Sequence, residues 1–137
     1  MGPTMTLKIN LKPREAVYIG TTSVTVLSEG KVTLAIDGDA PILRSSERIS
    51  EPPADHVAAR LQYVIQQMFL AQDLAAFHAE YFALAHRLGN ENAEMAKLIA
   101  ATNFHLVQGE LYQALKSARK LVEGFDQPTA QPRPKSA

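Results

Sequence analysis

Apolar residues recur along this chain with two different periods, and the change from one to the other divides it in two. Leu7, Ile9 and Leu11 alternate with Lys8, Asn10 and Lys12, the period of two that lays one face of a strand against a core. Pro13, Arg14 and Glu15 interrupt as a turn, and a second short strand over 16–19 stops at Gly20. Residues 23–27, with the β-branched Val24, Thr25 and Val26, predict a third strand. Glu29 and Gly30 supply a reversal, and Val32, Leu34 and Ile36 share one face beyond it. Residues 23–27 and 32–36 are therefore expected to pair as a hairpin. Asp37, Gly38 and Asp39 form a further turn, and Pro41 opens a last short strand through Ile42 and Leu43 to Arg44.

The sequence Ser-Glu-Pro-Pro over 50–53 ends this regime, and a helix is expected to begin near Pro53 or Asp55. Val57, Leu61, Val64, Ile65 and Met68 mark its buried stripe as far as Ala71, while Tyr63 and Leu70 lie on another side and predict contacts on two faces. Asp73 reads as the N-cap of a second helix, with Phe77, Tyr81, Leu84 and Leu88 on one face and Gly89 as its stop. Asn90 or Asn92 caps a third, in which Met95, Leu98, Ile99 and Leu106 align and Phe104 and Val107 lie opposite. Gly109 then permits a sharp turn into the most regular stretch, 109–125. There Leu111, Ala114, Leu115, Ala118, Leu121, Val122 and Phe125 form one stripe, with Gln113, Lys116, Lys120 and Glu123 on the other side. The third and fourth helices should form an antiparallel hairpin. The expected fold is α+β: a small N-terminal antiparallel β-module over 6–50, a C-terminal bundle of about four helices over 53–126, and a disordered C-terminal tail over 127–137, where no apolar pattern survives.

Composition narrows the chemistry. An apolar content of 46% against 20% charged supports a real core in a chain of 137 residues. Fourteen Lys and Arg balance fourteen Asp and Glu, so a nucleic-acid partner would need a local basic patch. Cysteine is absent, which removes disulfides, thiolate nucleophiles and Cys-based zinc sites. No apolar run approaches the ~20 residues that span a bilayer, and the N-terminus lacks a secretory pattern, so no membrane association and a cytoplasmic location are expected. Residues 1–4 read as a flexible leader, with Met5 as an alternative start.

Nothing in the sequence builds an active site: there is no phosphate-cradling glycine loop, no nucleophile elbow and no zinc signature. His78 and His86 are spaced so that they do not share a face cleanly, and Asp37-Gly38-Asp39 lacks the spaced ligands of a calcium loop. The reading is a protein that is not an enzyme and uses no cofactor or metal. What remains is binding. Lys8 and Lys12 share the polar face of the first strand and Arg14 follows, so with Arg44 and Arg48 they are the candidate contacts to the phosphates of a nucleic acid. The alternative is a solvated edge strand guarded by lysine. Lys116, Arg119 and Lys120 make a second basic surface, and Tyr18, the only aromatic residue of the β-half, is a candidate for base stacking. A rival reading is a protein-interaction module docking through Tyr63, Leu70 and Phe104.

Several segments in order carry a family resemblance: Ala40-Pro41-Ile42-Leu43-Arg44, the run QQMFLA over 66–71, His78 through Tyr81-Phe82-Ala83-Leu84, and LYQALKSARKL over 111–121. Together they resemble the FlbT family of bacterial flagellar-biosynthesis regulators. That resemblance implies a post-transcriptional role on the 5′ untranslated leader of flagellin mRNA, altering its translation or decay. The implied partners are that leader and a small companion regulator, FlaF, or flagellin itself. A second resemblance runs from Lys12 through Pro41 and is similar to the CsrA family of small β-sheet mRNA-leader binders, which form intertwined dimers; by analogy it implies a homo-oligomer. Leu11 stands where that family carries its first-strand arginine, with the base shifted to Lys12, and Ser46 stands where its last arginine falls, flanked by Arg44 and Arg48.

Overall fold

β1 (Thr6–Leu11) follows its alternation in the computed structural model, which describes residues 6–126. Ile9 and Leu11 are buried, and Lys8 and Asn10 are exposed between them. Leu7, 47% exposed, lies beyond the covered end of that face. β2 (Ala16–Ile19), β3 (Thr22–Thr25), β4 (Val32–Asp37) and β5 (Ile42–Arg44) complete the β-unit. All pairings are antiparallel, in two sheets of order β1-β4 and β3-β2-β5. The cluster of Ile9, Leu11, Val17 and Val26, with Ile19, Val32, Leu34, Ile36 and Ile42 packed against it, draws on strands of both sheets and gives them one core.

The hairpin expected between 23–27 and 32–36 does not form. β3 turns back on β2 instead, in register Ile19 with Thr22, through the two-residue loop Gly20-Thr21. Gly20 takes φ +62°, the positive value that a tight loop with glycine in its first position requires. β4 is free to pair with β1, where Leu34 stands opposite Ile9 and Ile36 opposite Leu7, so the two alternating faces match. Alternation specifies which side of a strand is buried and is silent on which neighbour it takes.

The helices are α1 (Val57–Ala71), α2 (His78–Glu91), α3 (Ala96–Val107) and α4 (Leu111–Asp126). α1 starts two residues later than Asp55, after a turn in which the His56 N–H donates to the Pro53 carbonyl. It ends with Gln72 in the left-handed region, φ +53°, and the Asp73 N–H returning to the Met68 carbonyl at 3.1 Å. Asp73 does cap, accepting the Ala76 N–H at 3.1 Å, but what it caps is a turn; Phe77 closes that turn onto Leu74, and α2 begins only at His78. Gly89 is not the stop expected of it. It lies inside α2, and the helix is ended by Asn92, whose extended backbone turns the chain and whose side chain accepts the Glu94 N–H to start the short 3-10 turn Ala93–Met95 before α3.

Because Gly89 keeps a helical backbone, its missing Cβ only weakens the helix. An added methyl would meet Ile99 Cδ1 at 3.7 Å, an ordinary contact. Gly89→Ala is therefore expected to stabilise the protein by about 0.5–1 kcal/mol, seen as a higher urea midpoint with an unchanged slope. Gly109 is the opposite case. With φ +78° it closes α3, the Gly109 N–H bonding to Leu106 and the Glu110 N–H to the His105 carbonyl at 2.8 Å, and it sends the chain directly into α4 as the sequence predicts.

Contacts divide the described chain into two compact units. One holds the residues through Ile49 together with Leu70–Gln72; the other holds Ser50–Phe69 and the chain from Asp73 onward. In the helical unit Tyr81, Leu88, Leu115 and Leu121 are completely buried, and the Tyr81 hydroxyl donates to Asn103 Oδ1. Arg60 ties this unit together at its surface, donating to Glu80 at 2.8 Å and Glu51 at 2.9 Å while lying 5.7 Å from the Tyr63 ring centroid. The hydrogen bonds it donates to Glu80 and Glu51 raise the guanidinium pKa above the ordinary arginine value. The tail expected over 127–137 lies outside the described residues.

Candidate nucleic-acid interface

The basic residues of the β-unit fall into three kinds once their partners are known. Lys8 and Lys12 are exposed; the burial of Ile9 and Leu11 on the inner face turns them outward. No carboxylate within ion-pair distance of either appears among the described residues. Glu15, the nearest acid in sequence to Lys12, instead accepts the Lys12 backbone N–H at 2.9 Å.

Arg14 is held differently. Pro13 and Arg14 are the central residues of a turn closed by the Glu15 N–H on the Lys12 carbonyl at 3.0 Å, and Arg14 takes φ +71°. Proline followed by a left-handed residue is a type II turn, where glycine or asparagine is the unstrained choice. A long basic side chain sits there at a conformational cost. Two bonds hold it: its N–H to the Val26 carbonyl at 2.8 Å and its Nη1 to the Leu27 carbonyl at 2.9 Å. Arg44 is likewise committed, its Nη1 donating to the Asn10 carbonyl at 3.1 Å and so fastening β5 to the residue of β1 between Lys8 and Lys12.

Arg48 forms the third kind. It follows the 3-10 turn Ser45–Glu47, whose Glu47 carboxylate accepts the Arg44 N–H at 3.2 Å, and its guanidinium carbon lies 4.7 Å from the centroid of the Tyr18 ring. A guanidinium over an aromatic face is attractive in itself, and both groups are flat surfaces on which an unpaired base can stack. No spacing in the sequence could have joined these two residues, which lie on β2 and beyond β5. The structure thus brings Arg44 to the Lys8–Lys12 strand and Arg48 to Tyr18, while Arg14 serves its own turn.

The second basic surface divides. Lys116 and Lys120 are exposed, with the Lys116 Nζ 5.7 Å from the Tyr112 ring centroid. Arg119 is half-buried, and its Nη2 is buried with no hydrogen-bond partner among the described residues. The three do not form one solvent-facing set. Lys116 and Lys120 instead border a groove with His105 and Gln113, two residues the sequence reading did not select. The signal available was the recurrence of Gln113, Lys116 and Lys120 at helical spacing.

Of the apolar positions considered for docking, Leu70 is buried, 7% exposed, and Tyr63 is half-buried near Arg60; neither is a free anchor. Phe104 is 60% exposed. Among the described residues no group of three or more His, Cys, Asp or Glu is arranged to hold a metal ion, and no helix is long and apolar enough to cross a membrane.

A family model described as "Flagellar protein FlbT" matches residues 7–125. A protein of Rhodopseudomonas palustris (strain TIE-1) named "Probable flagellum biosynthesis repressor protein FlbT" is 34% identical over 119 residues, covering 87% of this chain and 94% of the relative. The "Probable flagellum biosynthesis repressor protein FlbT 1" of Bradyrhizobium diazoefficiens is 34% identical over 119 residues, 86% of this chain and 81% of its own. A relative of the same type from Mesorhizobium japonicum is 30% identical over 121 residues. No solved structure matches the chain.

Proposed function

This chain belongs to the FlbT family of flagellar proteins, and from that membership we propose that it is a regulator of flagellum biogenesis that binds the 5′ untranslated leader of a flagellin mRNA and alters its translation or decay. The names of its relatives support the regulatory role and its repressing direction. The observation that carries the RNA reading is the Arg48–Tyr18 pair on the same unit as the exposed Lys8 and Lys12. Recognition of single-stranded RNA uses this combination: cations that follow the phosphates and flat groups that receive unpaired bases. Arg14 and Arg44 support the surface by holding its turn and its strand.

The protein acts in the cytoplasm in this reading, where the message is found, and without catalysis. A gel-shift titration with a flagellin leader and a scrambled leader of equal length tests it. The authentic leader should bind tighter by about tenfold or more, the scale of a few specific contacts. Equal weak binding to both would remove the claim.

One observation favours a second reading, docking on flagellin, a FlaF-like companion or an export component. Tyr81 meets Asn103, and Gly89 lies beside Ile99, so α2 and α3 run antiparallel. Phe82 and Phe104, each one residue on from the first pair, then emerge on the same face; they are 53% and 60% exposed, with Val107 at 82%. Exposed large apolar residues grouped on one face mark interaction surfaces. Retention of flagellin or the companion regulator from nuclease-treated extract by the wild type, and its loss with Phe104→Ser, would establish this reading over the first.

A further inference from the structure

The helical hairpin of α3 and α4 carries a groove of about 290 Å³ that no part of the reading above uses. Its apolar lining comes from Leu98 and Ala101 of α3. Thr102 donates its single hydroxyl proton to the Leu98 carbonyl at 2.8 Å, so the Ser117 hydroxyl, 2.9 Å away, must donate to Thr102 and is turned inward. The other polar side chains that line the groove are Lys116, Lys120, Gln113 and His105; the Lys116 ammonium lies 5.7 Å from the Tyr112 ring centroid, a weak contact that an anion can outcompete.

This lining is unbalanced in charge. Lys116 and Lys120 are one turn apart on α4, a spacing at which like charges repel. Neither has a carboxylate within ion-pair distance among the described residues. Glu110, just ahead of α4, is bound to His105 Nδ1 at 2.8 Å. An anion held between the two lysines would replace their repulsion with two attractive, charge-assisted contacts. The volume lies at the low end of ligand pockets and suits one small molecule. An apolar floor beside a pair of cations asks for a ligand that is flat and weakly polar at one end and doubly charged at the other.

We infer that this groove binds a single phosphate-bearing nucleotide, with the phosphate between Lys116 and Lys120 and the base against Leu98 and Ala101. Gln113 can both donate to and accept from a base or ribose at the edge of the groove. The nucleotide can be free in solution or the 5′-phosphorylated end of an RNA chain, since both present the same group. The inference uses no residue of the β-unit.

Isothermal titration of the full chain with AMP, adenosine and inorganic phosphate tests it. AMP should bind at least tenfold tighter than either of the others, and Lys116→Gln with Lys120→Gln should remove that advantage while leaving the thermal midpoint in place, because both side chains are exposed. A variant carrying Lys8→Glu and Lys12→Glu should bind AMP as the wild type does, which separates this groove from the leader surface. Competition with a 5′-phosphorylated hexanucleotide identifies the source: displacement of AMP at lower concentration assigns the groove to an RNA end, and failure to displace assigns it to a free nucleotide. No AMP binding, equal binding of AMP and phosphate, or AMP binding unchanged by the lysine substitutions would overturn the inference.

Discussion

Replacing Tyr81 with alanine is expected to destabilise the protein by about 3–5 kcal/mol, the scale for removing a buried aromatic side chain. Tyr81 is completely buried, touches Phe82 edge-on at 5.2 Å between ring centroids, and spends its hydroxyl on Asn103, so the deletion opens a cavity and leaves an amide oxygen without its donor. Tyr81→Phe keeps the ring and loses the hydrogen bond, and should cost only about 1 kcal/mol. Urea unfolding followed by circular dichroism measures both. The same hydroxyl gives a signature in pH. Burial pushes its pKa from 10.0 up to about 12. In the unfolded chain it ionises near 10, in the folded chain later. Its contribution is therefore complete below pH 10 and is lost as pH rises from there toward 12. Tyr81→Phe should lack that part of the alkaline decline, and wild type and variant falling in parallel between pH 10 and 12 would show that the phenol is not ionising in the way its burial requires.

Reversing the exposed lysines on and just after β1, Lys8→Glu with Lys12→Glu, is expected to weaken binding to a flagellin leader by about 10- to 100-fold near 0.1 M salt. Two phosphate contacts are lost and two repulsions added, with no compensating change in the fold. Neither side chain is buried, so the thermal midpoint should stay close to that of the wild type. The slope of log affinity against log salt should fall by about two. Arg14→Glu and Arg44→Glu cannot be read so simply, because each of these side chains also holds a backbone carbonyl in place, Leu27 and Asn10. If reversal of Lys8 and Lys12 leaves leader affinity unchanged while reversal of Lys116 and Lys120 abolishes it, the RNA surface belongs to the helical unit.

The helices were legible because each buries a stripe, and a stripe can be read from spacing alone. Their ends were less so. Gly89 looks like a stop in sequence and is helical in fact, since glycine permits a left-handed exit without imposing one; Asn92 imposes it through the bond its side chain makes. Gln72, which carries no such signal, adopts the left-handed conformation that Gly109 adopts for the same purpose. In the β-unit the strands themselves were legible, as four or five, from alternation and turn residues, and five form. Their partners were not. The face of β3 depends on its own residues, whereas its pairing depends on how short the Gly20-Thr21 loop is and on β1 offering β4 a better match.

The candidate site shows the same division. Lys8, Lys12, Arg14, Arg44 and Arg48 were visible as charges. Which of them are spent on carbonyls, and which one meets Tyr18, depends on contacts between residues ten to thirty-odd positions apart. His105 and Gln113 were not selected as site residues because a groove is a property of two helices at once.

The last residues of α1 carry a consequence for how this protein is made. Leu70–Gln72 cluster with the β-unit, and the Gly20 backbone comes close enough to the Leu70 carbonyl that a Cβ there would lie 3.8 Å from it. The ribosome delivers the five strands first, and the three residues that complete their unit follow more than twenty residues later. The β-unit therefore has all its residues only once α1 has been synthesised. A gene fragment stopped at codon 49 would encode all five strands and still omit part of the unit they form.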